Sequence, residues 1–332
     1  MKKTVLIDFQ KIEQSFVGLG QFCAHLKIYF DTCSSMDLVY WMPNKWQKIA
    51  KQLPFLLPAC DVYHATHQDS PYMPWSKKTK VVLTIHDLNA LYQHPKKSYQ
   101  EKYKKLLQKK INRASVVTFI SEFTKSEVEK TLDLSGKRLE VIYNGISLGE
   151  KSSRPPFIPE GKIIFSIGTV LPKKNYHVLI DFLKLLPPEY KIVLAGTTYH
   201  RYAQEMLEKI KALGIEDRLF LIGTINEEQK RWYYENSCAF VFPSLFEGFG
   251  LPVAEAMSLG LPLFISDKTS LPEIGGEDAY YFLDFAPEKM KEVFMNGMQN
   301  FNEEKKQRLI QRAKMFDWKK ASDKYIEIYQ SL

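Results

Sequence analysis

The chain has 332 residues, with 45% hydrophobic and 25% charged residues and a formal net charge of +8. That length suits two domains of ordinary size, and the composition is that of a soluble globular protein with no apolar run of membrane-spanning length. The positive balance favours anionic partners: nucleotides, nucleic acid or an acidic membrane surface. The four cysteines, Cys23, Cys33, Cys60 and Cys238, have no Cys-x-x-Cys spacing, so neither a zinc site nor a disulfide framework is expected. Met1-Lys2-Lys3-Thr4 runs straight into Val5-Leu6-Ile7 and Asp8, too short for a signal-peptide core, and a cytoplasmic location is expected.

Short apolar runs alternate with helical patterns along almost the whole chain, the signature of parallel α/β sheets. In the first half the expected strands are 5–9, 38–41, 61–65, 81–85, 116–120 and 139–142, with helices at 21–30, 99–113 and 124–132. The helix at 99–113 lies in a strongly basic stretch, from Lys96 through Lys97, Lys102, Lys104, Lys105, Lys109 and Lys110 to Arg113, with Glu101 as its one acidic residue. Tyr99, Tyr103, Leu106 and Leu107 keep helical spacing there. A solvated helix face, a contact with lipid phosphates and a nucleic-acid contact all fit such a pattern, through the attraction of clustered lysines to anions. The stretch 147–161 is rich in Pro and Ser without periodicity and reads as a connection between domains.

The second half begins again with a strand at 162–167 and continues with strands at 191–195, 219–222, 239–242 and 263–265. The resulting division is a first domain over 1–150, a linker over 151–161, a second domain over 162–316, and a terminal helix over 317–332 that could dock on either. Asp317 can cap that helix, and Trp318, Ala321, Tyr325, Ile328 and Leu332 form its apolar stripe.

The chemistry concentrates in three places. After the strand at 239–242 comes Pro243-Ser244-Leu245-Phe246-Glu247-Gly248-Phe249-Gly250-Leu251-Pro252, leading into a helix that carries Glu255. Glycines let backbone approach a ligand, and helix-start N–H groups suit phosphate or sugar oxygens. Within one helix Glu247 and Glu255 would lie about 12 Å apart, but the Gly-Phe-Gly bend allows both carboxylates to face one cleft. After the strand at 162–167, Gly168-Thr169-Val170-Leu171-Pro172-Lys173-Lys174-Asn175 places two lysines at a strand-to-helix turn, where fixed cations can take up the charge of a leaving diphosphate. There is no Asp-x-Asp motif and no phosphate-binding P-loop. In the first half, Phe16-Val17-Gly18-Leu19-Gly20-Gln21 starts a helix, and His86 stands at the carboxyl end of a buried strand, where open α/β sheets bind ligands.

Phe242-Pro243-Ser244 followed by Glu247-Gly248-Phe249-Gly250-Leu251-Pro252 and Glu255 resembles the Glu-x7-Glu element of the GT4 family of retaining glycosyltransferases (glycosyl transferase group 1), and Gly168-Thr169 with Pro172, Lys174 and Asn175 matches its diphosphate turn. Lys173 stands where the family has arginine, and a lysine cannot clamp two oxygens in a planar fork. The resemblance is specific in the second half and loose in the first.

It implies a GT-B fold: two Rossmann-like doubly wound domains facing across a cleft. It places Glu247 and His86 beside the donor sugar, Lys174 and Lys173 on the diphosphate and Glu255 on the ribose, with the amides of Gly248, Phe249, Gly250 and Leu251 on the sugar and diphosphate and the Gly18–Gly20 loop bordering them. The catalytic set is then His86, Lys174 and Glu247. No metal and no cofactor beyond a nucleotide-sugar co-substrate is expected, and the acceptor is a glycan or lipid-linked glycan in surface-polysaccharide assembly. Within the family this form of the diphosphate turn resembles mannosyltransferases using GDP-mannose. Peripheral membrane contact would run through Lys96 to Arg113, and nucleic acid is not an expected partner. A nucleotide-sugar epimerase and a non-catalytic nucleotide-sugar binder remain as alternatives.

Overall fold

A computed structural model describes residues 2–13 and 18–332. The chain divides into two compact units, Met1–Gly145 with Asp317–Leu332, and Ile146–Phe316.

The first unit is built on β1 (Thr4–Asp8), β2 (Asp37–Trp41), β3 (Val62–Ala65), β4 (Lys80–Ile85), β5 (Val116–Phe119) and β6 (Arg138–Val141), in the order β2-β1-β3-β4-β5-β6. Every pairing is parallel, which requires a crossover between successive strands and covers both faces of the sheet. The crossovers carry α1 (Gly18–Phe30), α2 (Asn89–Gln93), α3 (Lys97–Arg113) and α4 (Glu122–Thr131).

Strand alternation divides the buried residues between two faces. Tyr63, Leu83 and Val117 enter one core with Leu107 and Ile111 of α3. His64, Thr84 and Thr118 instead meet the last helix, α12 (Trp318–Ser331).

That helix settles where the tail docks. Asp317 caps it by accepting from the Lys320 amide at 3.0 Å, and Trp318 and Tyr325 pack on Phe22 of α1 with ring centres 5.8 and 6.2 Å away. Tyr329 takes the place on the buried face that the sequence pattern gives to Leu332. Its hydroxyl lies 2.6 Å from His64 Nδ1, while Nε2 lies 2.7 Å from the Thr84 hydroxyl. Burial pushes the His64 pKa down to about 3, aided by the nearby His86, so the ring is a neutral donor-acceptor in a closed polar network. A side chain on Gly145 would begin 2.2 Å from the Trp318 nitrogen; only glycine leaves room for the returning chain.

Two basic residues of α3 turn inward, contrary to a uniformly solvated or lipid-facing helix. Lys110 donates to the carbonyls of Gln68 and Ser70 at 2.6 and 2.9 Å, and Arg113 to those of Ser76 and Thr79 at 2.7 and 2.8 Å. They tie the loop carbonyls of residues 68–79 to the helix.

The second unit holds β7 (Lys162–Ile167), β8 (Tyr190–Ala195), β9 (Leu219–Gly223), β10 (Ala239–Phe242), β11 (Leu263–Ser266) and β12 (Tyr280–Phe282), in the order β12-β11-β10-β7-β8-β9. All pairings are again parallel. Its helices are α5 (Val178–Leu185), α6 (Arg201–Ala212), α7 (Glu227–Asn236), α8 (Leu251–Ser258), α9 (Leu271–Gly275), α10 (Pro287–Asn300) and α11 (Glu303–Ala313). The Pro/Ser-rich stretch 147–161 lies along this unit. Arg231 donates to the Gly149 carbonyl at 3.0 Å, the Ser153 amide to the Glu228 carbonyl at 3.2 Å, and Phe157 packs on Phe220 with ring centres 4.8 Å apart.

Replacing Tyr329 by Phe leaves a buried imidazole nitrogen without its partner, a loss of about 1–3 kcal/mol. Urea unfolding of Tyr329→Phe should show it as a lowered midpoint at unchanged slope, and an unchanged midpoint would refute the network's role.

Candidate functional site

Strand order in the second unit reverses between β7 and β10, and in doubly wound sheets ligands bind at the carboxyl ends flanking such a reversal. The two turns singled out from the sequence leave those strands. After β7, residues Pro172–Lys174 form a 3-10 turn closed by Asn175 in the left-handed conformation, φ 58°. After β10, the chain crosses directly over that turn. The Lys173 carbonyl accepts from the Leu245 amide at 2.8 Å and the Ser244 hydroxyl at 3.2 Å.

The side chains meet as well. Lys174 Nζ lies 2.5 Å from Glu247 Oε1 and 4.8 Å from the centre of the Phe242 ring. Ser244 donates to the same carboxylate oxygen at 2.7 Å. Both members of the pair are 13% exposed, shielded yet reachable from solvent. Lys173 is half-buried, and its ammonium takes part in no hydrogen bond or ion pair among the described residues.

From Glu247 onward the loop is clamped by residues the sequence did not single out. The Glu247 amide donates to the Thr269 hydroxyl at 3.0 Å, and the Ser270 hydroxyl donates to the carbonyls of Glu247 and Phe249 at 3.1 and 2.9 Å. Gly250, at φ 102°, turns the chain into α8, whose start carries Leu251 and Pro252 and no side-chain cap. A Cβ on Gly250 would come 2.8 Å from Leu271 Cδ2. Amides at an uncapped helix start, with the positive end of the helix dipole, suit an anion or the oxygens of a sugar.

Glu255 sits inside α8 at 5% exposure. Its Oε1 receives Lys230 Nζ at 2.8 Å and its Oε2 the Tyr234 hydroxyl at 2.9 Å; Lys230 also holds Glu227 at 2.8 Å. Burial raises the Glu255 pKa against the opposing Lys230 charge. Burial disfavours the Lys230 charge too, but the carboxylates of Glu255 and Glu227 outweigh it and raise its pKa. Lys230 lies in the charged run Glu227-Glu228-Gln229-Lys230-Arg231, which the sequence did not single out.

The first unit has its own reversal of strand order, between β1 and β3. His86 follows β4 at the same end. Its Nε2 lies 2.8 Å from the Thr66 carbonyl, which can only accept, so Nε2 carries the proton and Nδ1 the lone pair. Burial lowers its pKa to about 4. It is a neutral hydrogen-bonding group at physiological pH, held by Phe22 edge-on at 4.7 Å. Two further residues of this unit were not marked by the sequence. His67 has a pKa lowered to about 3 by burial and the nearby cations. Asp8 is buried, with its carboxylate receiving Gln10 and Ser70. Gly18 and Gly20 open α1, Gly18 exposed and Gly20 buried, while Phe16 and Val17 of the same motif lie outside the described residues.

The family model of glycosyl transferases group 1 matches residues 150–316, and that of Glycosyltransferase Family 4 matches residues 26–150. O-antigen chain mannosyltransferase B of Escherichia coli is 27% identical over 290 residues, 80% of this chain and 74% of that protein. O-antigen chain mannosyltransferase RfbU of Salmonella typhimurium is 26% identical over 201 residues, 60% of this chain and 55% of that protein, so the match spans about half of that relative's length. The structure of Anabaena Alr3699/HepE in complex with UDP and glucose superposes with a TM-score of 0.72 at 17% identity, covering 100% of both chains. That likeness shows the fold, the GT-B architecture expected from the sequence.

Removing the buried cation alone should be more harmful than removing the pair. Lys230→Met should cost about 3–5 kcal/mol in urea unfolding, and Lys230→Met with Glu255→Leu should recover most of it. Equal losses in the single and double variants would show that the pair is not a closed unit.

Proposed function

The chain belongs to the glycosyl transferases group 1 family and is a glycosyltransferase, and on that premise we propose that it moves a hexose from a nucleoside-diphosphate donor held by the second unit. The acceptor in this reading is a glycan or lipid-linked glycan of surface-polysaccharide assembly. The observation that carries the proposal is the Lys174–Glu247 contact. Two turns 73 residues apart in sequence converge at the strand reversal and present a cation, a carboxylate and helix-start amides together.

In the proposed reaction the bond from the sugar's anomeric carbon to the diphosphate oxygen breaks. The acceptor oxygen bonds to that carbon on the same face, and its proton passes to the leaving diphosphate. Lys174 and Lys173 take up the developing negative charge, as do the amides from Gly248 to Leu251. Glu247 accepts from a sugar hydroxyl once the diphosphate has drawn Lys174 away. Glu255, fixed by Lys230 and Tyr234, accepts from the ribose. His86, neutral, offers Nδ1 to a hydroxyl and does not act as a proton shuttle near neutrality. The charge is handled by fixed side chains without a divalent ion. Mannose from GDP-mannose is the proposed donor, supported by the mannosyltransferases among the relatives.

Exposed Lys96, Lys97, Lys102, Lys105 and Lys109 support a further part of the reading, a peripheral contact of α3 with anionic lipid. No helix among the described residues is long and apolar enough to cross a membrane.

A panel of nucleotide sugars scored by thermal shift, with magnesium or with EDTA, tests the donor. GDP-mannose should raise the melting temperature equally in both, and a response only to UDP-sugars, or only with magnesium, would overturn those parts of the proposal. Lys174→Ala should weaken nucleoside-diphosphate binding. Glu247→Gln should tighten it several-fold by freeing the lysine, while lowering transfer by about 10²–10³. Weaker diphosphate binding in Glu247→Gln would contradict the exchange of partners. Reversing the exposed lysines of α3 to Glu should weaken the salt-sensitive part of binding to anionic vesicles, and unchanged cosedimentation would remove that contact.

A further inference from the structure

Residues 42–58 join β2 to β3 and cannot bury their own side chains. Pro43, Pro54 and Pro58 prevent a continuous helix, and the segment settles into two short 3-10 turns, Gln47–Lys51 and Pro54–Leu56. Ala50 and Leu57 alone reach the core, joining Trp41 and the α3 residues Leu107 and Ile111 on one face of the first sheet. The remaining apolar side chains point outward. Trp46 is 88% and Phe55 64% exposed, and Met42, Ile49, Leu53 and Leu56 are exposed with them. Beneath Trp46 lies a cavity of about 350 Å³ lined by Trp41, Ile49, Ala50, Leu56 and Pro58.

The charge of this surface is one-sided. Lys45, Lys48 and Lys51 are exposed between the apolar residues and form no ion pair among the described residues. Asp and Glu are absent from residue 38 to residue 60. Large exposed apolar patches on soluble units mark interaction surfaces. Tryptophan and phenylalanine interleaved with unpaired lysines match the layered chemistry of a bilayer surface, apolar at depth and anionic at the headgroups.

We propose that residues 42–58 anchor the first unit on an anionic lipid surface, with Trp46, Ile49, Phe55 and Leu56 entering the headgroup–acyl boundary and Lys45, Lys48 and Lys51 meeting lipid phosphates. The anchor stands on the same face of the sheet as α3 but differs from it in kind. A lysine-rich helix gives attraction that salt screens, whereas buried aromatic area gives attraction that salt leaves in place. It does not depend on the identity of the donor or on how the second unit binds it.

The test uses the full chain and cosedimentation with two kinds of vesicle, phosphatidylglycerol mixed with phosphatidylethanolamine, and phosphatidylcholine alone, each at low and high salt. Wild type should bind the anionic vesicles, with a fraction surviving high salt. Trp46→Ser with Phe55→Ser should lower partitioning by about tenfold and eliminate the salt-resistant fraction, while keeping the melting temperature and its response to nucleotide sugar. Lys45→Glu, Lys48→Glu and Lys51→Glu together should reduce the preference for anionic over zwitterionic vesicles, and an unchanged preference would remove these lysines from the anchor. Reversal of the exposed α3 lysines should leave the salt-resistant fraction intact, which separates the anchor from the α3 contact. Wild-type binding by the Trp46/Phe55 variant would overturn the proposal, as would absence of binding by wild type. A wild-type dimer broken by that variant in sedimentation velocity, without vesicle binding, would overturn it in favour of a second copy of the chain.

Discussion

Lys174 and Glu247 belong to different strand-to-helix turns, and the ion pair between them depends on how the second sheet is wound. β7 and β10 are neighbours because the strand order reverses there, so the chain leaving each strand emerges at the same end and at the same place. The Lys173 carbonyl then acts as a peg for the Ser244–Leu245 backbone, which fixes the height at which Glu247 meets Lys174. Isolated ion pairs near a surface contribute little to stability. This one follows from the backbone that holds it, and its consequence is electrostatic. A cation and a carboxylate are kept partly shielded from water, where either can be drawn to a ligand more strongly than in bulk solvent.

The first unit is held by a different kind of contact. Its second face is closed by a helix from the far end of the chain, and the closure includes polar groups, His64, Thr84, Thr118, Tyr325 and Tyr329, bonded to one another in the core. A buried polar network is costly when any member lacks a partner, so it specifies one docking position for α12. The same burial keeps His64, His67 and His86 neutral. The carboxyl ends of β3 and β4 therefore present imidazoles that donate or accept hydrogen bonds without carrying charge.

Most of this architecture was legible in the residues, because strands buried on both faces are continuous apolar runs and parallel sheets force helices between them. β12 escaped since it has three residues, Tyr-Tyr-Phe, too few to set a period. The glutamates and lysines of the second unit were legible through their spacing around glycine and proline. Lys230 was not: it shares the buried face of α7 with Tyr233 and Tyr234, but a lysine beside Glu227, Glu228 and Arg231 carries no sign of its own burial. Asp8 and His67 were missed for a related reason. Each is polar at a strand end, and only the tertiary fold shows that both are buried, His67 near His86 and Asp8 against Ser70. The inward turn of Lys110 and Arg113 has no sequence signal either, since loop carbonyls select them.

The two glutamates that read alike in sequence are physically unlike, and the difference bears on how a donor would be received. Glu255 is enclosed, with each carboxylate oxygen bonded to a partner that is itself buried: Lys230 at 5% exposure and Tyr234 at 0%. Moving it would strand a buried cation, so it behaves as a rigid acceptor. Glu247 has a partner that solvent can reach, and in the proposed function Lys174 would exchange that carboxylate for a phosphate oxygen. A diphosphate arriving at this turn brings more negative charge than the glutamate it displaces. In the proposed function the lysine would turn to it, and the released carboxylate would become an acceptor for the sugar attached to that same diphosphate. One pre-formed ion pair would then couple recognition of the leaving group to readiness for the sugar.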